Sequence, residues 1–262
     1  MLPRDQPCEA SVNIAGFYND LAPWYHAIFE DWDGSMARQG AALHRIIATE
    51  WGPAPKAIVD VAAGIGTQSI PLAQLGHRII AGDCAIKAVA RAGVEAGLRD
   101  VQLAVLATDM RSLPIRAGWA DVVVACDNAL PHLLSEAEIA AALCEFHRCL
   151  RPGGGCLVTM RDYGACPPDG TRERRPYGKR LIDGRLHEVC QTWTWEGPRY
   201  NLVFEIVAVA TGEVVLAAET TYFAIRPARV MELMAELGFA HVRRVDEGYY
   251  QPILVGTRPL PD

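Results

Sequence analysis

Carboxylates and glycines fall along this chain in an order that suits a nucleoside. Asp60 precedes a Gly64-Ile65-Gly66 turn, and Asp83 ends the next apolar run. Glycines at such a turn let the backbone bend sharply and approach a ligand with no Cβ in the way. A carboxylate ending the following strand is placed to accept hydrogen bonds from both ribose hydroxyls. A dinucleotide site would want a third glycine, where this chain has Ser69, and its pyrophosphate would face the charge of Asp60 in a partly dry site. That disfavours a nicotinamide-dependent oxidoreductase. An ammonium or sulfonium is welcome beside Asp60, and S-adenosylmethionine joins adenosine to such a cationic tail. Further chemistry-bearing groups follow: Asp109-Met110-Arg111, Cys126-Asp127-Asn128 with His132 just beyond, and Arg161-Asp162-Tyr163.

To act together, these groups must stand at the carboxyl ends of strands in one sheet. Apolar runs at 57–62, 78–81, 101–107, 120–126 and 156–160 predict five buried strands. Helices are predicted at 35–50, 67–75 and 85–96, and another opens at the Ser135/Glu138 capping box and closes at Pro152-Gly153-Gly154-Gly155. This alternation predicts an α/β fold with a mostly parallel sheet flanked by helices, in which ligands bind where the strand order reverses. Beyond Met160 the rhythm changes. The basic run at 166–180, with Arg172, Arg174, Arg175, Lys179 and Arg180, reads as a solvated loop, with a mobile lid as the alternative. Strand-like stretches at 186–195, 201–209 and 214–225, the last two joined by Thr211-Gly212-Glu213, predict an antiparallel insertion. A helix from Pro227 to Gly238 and strands at 242–246 and 253–257 finish a seven-stranded core. A single domain over 1–262 is expected, with an N-terminal lid and helix (1–50), a cofactor-binding core (56–162), a cap (163–226) and a last helix and hairpin (227–262).

Composition narrows the partners. The 262 residues carry 25 Lys+Arg against 31 Asp+Glu, a net charge of −6, which disfavours a nucleic-acid surface. No apolar run approaches the ~18 residues of a membrane helix, and residues 1–5 lack a signal peptide's apolar stretch. The eight cysteines, Cys8 among them, are scattered without a Cys-x-x-Cys, and no cluster has metal-ligand spacing. A cytoplasmic enzyme with a small-molecule acceptor, no nucleic acid, no membrane and no metal is expected. A homo-oligomer is left open.

The stretch Asp60-Val61-Ala62-Ala63-Gly64-Ile65-Gly66-Thr67-Gln68 resembles the first motif of class I S-adenosylmethionine-dependent methyltransferases, those of the glycine and sarcosine N-methyltransferase kind above all. Asp83, Asp109-Met110-Arg111 and the run from Cys126 to Leu133 match later motifs in order, and Arg161-Asp162-Tyr163 is similar to that family's Arg-Asn-Tyr. The resemblance implies a Rossmann-like methyltransferase fold and S-adenosylmethionine as cofactor. It implies that Asp60, Ala62, Gly64 and Gly66 hold the methionine end and that Arg38 pairs with its carboxylate. It implies that Asp83 takes the ribose, that Asp109 and Met110 flank the adenine, that Cys126 and Asp127 form the floor, and that Tyr25 and Trp32 close over the cofactor. Asn128 and Arg161 would face the acceptor, an amine or amino-acid nitrogen. Three departures stand out: Ala63 where the family has Cys, Asp33-Gly34-Ser35 where an aromatic is expected, and Asp162 for Asn, which favours a cationic acceptor or weakens carboxylate binding.

Blander readings stand beside these. Arg161 either faces the acceptor or pairs with Asp162. Asn128 either faces it or satisfies backbone groups in a turn. His132 is either a general base or a satisfied structural histidine, the second being favoured. The aromatic N-terminal segment is either a lid or a packed cluster, and Tyr249-Tyr250 either a hairpin turn or part of the site rim. Methylation of oxygen or carbon in a secondary metabolite, and a cofactor-binding module without turnover, are the alternative functions.

Overall fold

A computed structural model describes residues 13–53 and 55–261; Cys8 and residues 1–5 lie outside the described residues. Helix α1 (Ile14–Leu21) is capped by the Asn13 side chain, which accepts from Gly16 N. A short 3₁₀ turn (Tyr25–Ile28) follows, then helix α2 (Trp32–Trp51). Helix α2 starts three residues before the expected Ser35. The Asp31 carboxylate accepts from Gly34 N at 2.9 Å and takes up a donor that would otherwise lack a partner, so the helix begins there.

The core then runs β1 (Ala57–Asp60), α3 (Ser69–Gln74), β2 (Arg78–Asp83), α4 (Ile86–Gly97), β3 (Ala104–Ala107), β4 (Ala120–Ala125), α5 (Glu136–Cys149) and β5 (Leu150–Thr159). Every residue of β1 is buried, as are Val122 to Ala125 of β4, because helices cover both sheet faces. Ser135 caps α5, accepting from Glu138 N at 3.2 Å, while the Glu138 carboxylate accepts from Leu134 N. The Pro152-Gly153-Gly154-Gly155 stretch does not close this helix as expected. Strand β5 begins at Leu150, and its register against β4 jumps from Ala120↔Leu150 to Val122↔Gly155, so the stretch forms a bulge inside the strand.

A second sheet departs from the core: β6 (Arg172–Ile182), β7 (Arg185–Glu196), β8 (Arg199–Ala208) and β9 (Val214–Phe223), antiparallel in that order. The basic run expected to be a loop is mostly strand β6. It is an edge strand paired only to β7, and charged side chains with a proline at a bulge (Pro176/Gly178) suit an edge. Chain continuity returns through α6 (Pro227–Glu236), β10 (Ala240–Val245) and β11 (Ile253–Thr257) to the first sheet.

That sheet has the order β10-β11-β5-β4-β1-β2-β3. The pairs from β3 through β5 are parallel, and β11 is antiparallel to both β5 and β10. The seven-stranded, mostly parallel core and the antiparallel insertion are as expected. The strand order reverses between β1 and β4, and their carboxyl ends open toward the inner face of the second sheet. No helix among the described residues is long and apolar enough to cross a membrane.

Candidate functional site

The reversal point holds a cavity of about 750 Å³. Its glycine turn stands on Asp60, which is fully buried, accepts from Ser69 Oγ at 2.6 Å and from Ala62 N at 3.3 Å, and does not itself line the cavity. Burial pushes the Asp60 carboxyl up to about 7, against the pull of those two donors and with a further push from Asp83. A cation bound nearby would draw it back to the charged form. Gly64 lines the cavity with φ +53°, and a Cβ there would project into open space. Gly66 does not line it. A Cβ at Gly66 would stand 2.7 Å from Ile70 Cδ1, so that glycine serves the packing of α3 under the turn.

Asp83 enters the cavity from the end of β2. One carboxylate oxygen accepts from Gly64 N and the other from Ala85 N, each at 2.8 Å, and burial nonetheless raises its pKa. Each oxygen keeps a lone pair for a ligand hydroxyl. Asp109 and Met110 lie farther along the wall. Asp109 is gripped by Arg111 through Nε and Nη2, the shortest contact 2.6 Å, and this pair holds its carboxyl below the usual range. Ala62, Cys126, Asp127 and Tyr25 complete the predicted cofactor residues on the wall, joined by Tyr18, Thr67 and Gln68. Burial keeps Cys126 a thiol.

Two further predicted residues do not reach this cavity. Trp32 donates to Thr67 Oγ1 at 3.0 Å and packs beneath the guanidinium groups of Arg91 and Arg99, so it stands one residue behind the wall. Arg38 is exposed on α2 and absent from the wall. The neighbouring Gln39 takes an inward place instead, accepting from Gln68 Nε2 at 2.8 Å and from Tyr249 Oη at 2.7 Å.

Asp127 is the hinge of the site. It and Asn128 follow one another with φ of 57° and 64°, a left-handed pair that Asp and Asn tolerate at some strain. Thr159 holds the pair in place, its Oγ1 accepting from Asp127 N and its carbonyl from Asn128 N. The Asp127 carboxylate accepts from Tyr25 Oη at 3.2 Å and Tyr250 Oη at 2.5 Å. Burial and the facing Asp127 raise both phenol pKa values, so both stay donors. Tyr250 thus reaches the rim rather than only turning a hairpin. Beyond Asp127 lies an inner chamber of about 420 Å³, which shares Tyr18, Tyr25 and Asp127 with the first cavity and adds Ile28, Tyr177 and Tyr222.

Arg161 enters this chamber from the end of β5. Its Nη1 donates to Tyr200 Oη at 2.8 Å, and its guanidinium lies 4.5 Å from the Trp193 ring centre. Among the described residues it forms no ion pair; the expected partner Asp162 pairs with Arg244 instead, at 2.7 Å. Asn128 lines no described cavity. Its amide nitrogen donates to Tyr163 Oη and its oxygen accepts from Arg161 N, both at 2.9 Å, which is the turn-satisfying role. His132 does line the first cavity, with Nε2 2.7 Å from Tyr18 Oη and its ring 4.0 Å from that of Tyr222. Burial and the Arg161 charge push its pKa down to about 3, so it is neutral. The cap aromatics Tyr177, Trp193, Tyr200 and Tyr222 went unassigned in the sequence, although alternate positions of 193, 195 and 200, 202, 204 mark an inward apolar face.

These features fit S-adenosylmethionine: a buried carboxylate with open lone pairs for the ribose, a side-chain-free turn at Gly64, and acid beneath it for a cationic tail. A methyltransferase-domain family model matches residues 58–154. The chain is 28% identical over 214 residues to a glycine/sarcosine N-methyltransferase of Parasynechococcus marenigrum (strain WH8102), covering 81% of this chain and 72% of that one. Its fold is similar to that of the CcbJ methyltransferase of Streptomyces caelestis (TM-score 0.75, 17% identity, 93% and 98% of the two chains). It is also similar to S-adenosylmethionine-bound CalS10 of Micromonospora echinaspora, an amino pentose methyltransferase (TM-score 0.70, 20% identity, 89% and 96%).

Proposed function

We propose that this S-adenosylmethionine-dependent methyltransferase methylates the amine nitrogen of a small amino acid, of the glycine or sarcosine kind named for its relative. One observation carries the reading: Arg161 is a half-buried cation with no carboxylate partner among the described residues, facing a chamber shared with Asp127. A partly buried charge without a counterion is unfavourable, and an acceptor's carboxylate would supply the missing partner. The same chamber offers the Asp127 carboxylate to an amine. An acceptor with both groups bridges the two. The Asp162 departure from the family pattern does not oppose this, because Arg244 holds that carboxylate.

Bound S-adenosylmethionine supplies an electrophilic methyl on a sulfonium, a leaving group already activated by its charge. The chain's own work is to position. Asp83 and the Gly64 turn would hold the nucleoside and Asp109 with Met110 the adenine end. Arg161 would fix the acceptor's carboxylate and Asp127 would orient its amine and take up a proton. Well-oriented reactants can gain on the order of 7–11 kcal/mol from proximity, so no strong base is required. The lid and cap would exclude water.

The test compares glycine and sarcosine with glycine methyl ester and methylamine, on wild type and Arg161→Met. The acids are expected to turn over, with ester and methylamine about 100-fold lower in kcat/KM. Arg161→Met should cost the acids a similar ~100-fold while keeping S-adenosylhomocysteine affinity. Equal turnover of acid and ester would sink the carboxylate reading.

A further inference from the structure

The basic stretch that opens the cap has a task at the site. Arg180, near the end of β6, donates through Nε to the carbonyls of Ala27 (3.0 Å) and Phe29 (2.9 Å), and through Nη2 to Ile28 (3.4 Å) and Tyr177 (2.7 Å). The first three are the carbonyls at the end of the Tyr25–Ile28 turn, where backbone acceptors lack partners and a cation is favoured. The fourth belongs to the β6 bulge. Ile28 and Tyr177 both line the inner chamber, one from the N-terminal segment and one from the cap. The other end of that segment is held separately, by Arg91 of α4, which donates to Ala22 O at 2.6 Å and contacts His26.

We propose that Arg180 is a positioning residue that fixes the width of the acceptor chamber by fastening the N-terminal segment to the cap, so that Ile28 and Tyr177 stand at a set separation. The inference rests on the inner chamber being the acceptor's. The guanidinium suits the task because one planar fork reaches carbonyls of two elements at once. Arg91 keeps the segment against the core in its absence, and the nucleoside walls at Gly64, Asp83 and Asp109 do not touch Arg180. Loss of the clamp therefore acts mainly on the acceptor; of the cofactor walls it reaches only Tyr25, whose hydroxyl Asp127 also holds.

The experiment compares wild type, Arg180→Gln and Arg180→Lys by three readouts. These are hydrogen–deuterium exchange across residues 22–29 with S-adenosylhomocysteine bound, calorimetric affinity for that ligand, and sarcosine methylation at saturating S-adenosylmethionine. Arg180→Gln is expected to exchange faster across 22–29 and to raise the sarcosine KM about tenfold, with kcat and S-adenosylhomocysteine affinity within about threefold. Arg180→Lys should fall between, since an ammonium keeps the charge but not the fork. Unchanged exchange overturns the clamp, and so does an unchanged sarcosine KM in a wild type that methylates it. If wild type methylates neither sarcosine nor glycine, the acceptor reading fails on its own. The exchange and affinity readouts then decide the clamp: faster exchange confined to 22–29 supports it.

Discussion

The nucleoside cavity takes most of its walls from the ends of β1 to β4 and the turns that follow them, with Ile14, Tyr18 and Tyr25 added from the N-terminal segment, while the inner chamber draws on α1, the 3₁₀ turn, the end of β5 and all four cap strands. In the first, the carboxylates of β2 and of the turn after β3 are fixed by neighbours close in the chain or on an adjacent strand: Asp83 by Ala85 and Gly64, Asp109 by Arg111. In the second, and along the wall the two share, the partners are remote: Tyr25 meets Asp127, and Arg161 meets Tyr200. A rigid sheet edge thus presents the nucleoside cavity, and docking of two sheets assembles the inner chamber proposed for the acceptor. The difference teaches where specificity can change. Substitutions on the cap can reshape the acceptor chamber without disturbing the nucleoside cavity, because few groups belong to both.

The sharpest way to break that separation is Asp83→Ala. Two charge-assisted hydrogen bonds to a ribose are together worth ~3–6 kcal/mol, so S-adenosylhomocysteine affinity should fall at least ~100-fold by calorimetry. A fall under tenfold would mean the nucleoside cavity does not depend on its best-placed carboxylate. Its mirror on the acceptor side is the Arg161 substitution, which should leave that affinity intact.

His132 sits on the boundary and sharpens the comparison by a smaller effect. Its imidazole is neutral across the working range, with a conjugate-acid pKa near 3, so it is poorly suited to accept a proton at neutral pH. His132→Ala should lower kcat/KM only several-fold, through lost support for Tyr18, and the pH–rate profile should keep its shape. A loss in the ~10²–10⁴ range expected of a general base would favour an oxygen nucleophile instead.

The last expected effect is on stability rather than on turnover, and it lies beneath the glycine turn. Asp60 titrates near 7 in the folded protein against an ordinary value near 3.8. A raised folded pKa means the protein binds the proton more tightly than the unfolded chain. The stability linked to it is full below about 3.8 and is lost as pH rises through about 7, at most on the order of 4 kcal/mol. Asp60→Asn, which keeps an oxygen to accept from Ala62 N and an amide that can donate to a rotated Ser69 hydroxyl, should gain on wild type in Tm between pH 5 and pH 8. Parallel Tm curves across that range would show that Asp60 is charged throughout.

What could be read in the sequence followed from short-range physics. The Gly64-Ile65-Gly66 turn, Asp83 at its strand end and the Ser135 cap depend on a few neighbouring residues, and buried strands such as β1 announce themselves by continuous apolar composition. Strand β6 was hidden because an edge strand needs no apolar alternation and tolerates Pro176 at a bulge. The bulge in β5 was hidden because Pro-Gly-Gly-Gly has the composition of a turn. Arg38, expected at the cofactor, lies exposed, and Gln39 beside it points inward. A helix places successive residues about 100° apart, and which of them faces a site depends on how the helix packs. The sequence by itself determined the parallel core, the nucleoside turn and the reacting cofactor's class. Only the tertiary structure decided that Arg161 stands against Trp193 and Tyr200 with no ion pair among the described residues, that Asp162 turns to Arg244, and that Asp127 joins two cavities. Those contacts span long stretches of chain and exist only once the cap sheet has docked on the strand ends, an arrangement no local pattern encodes.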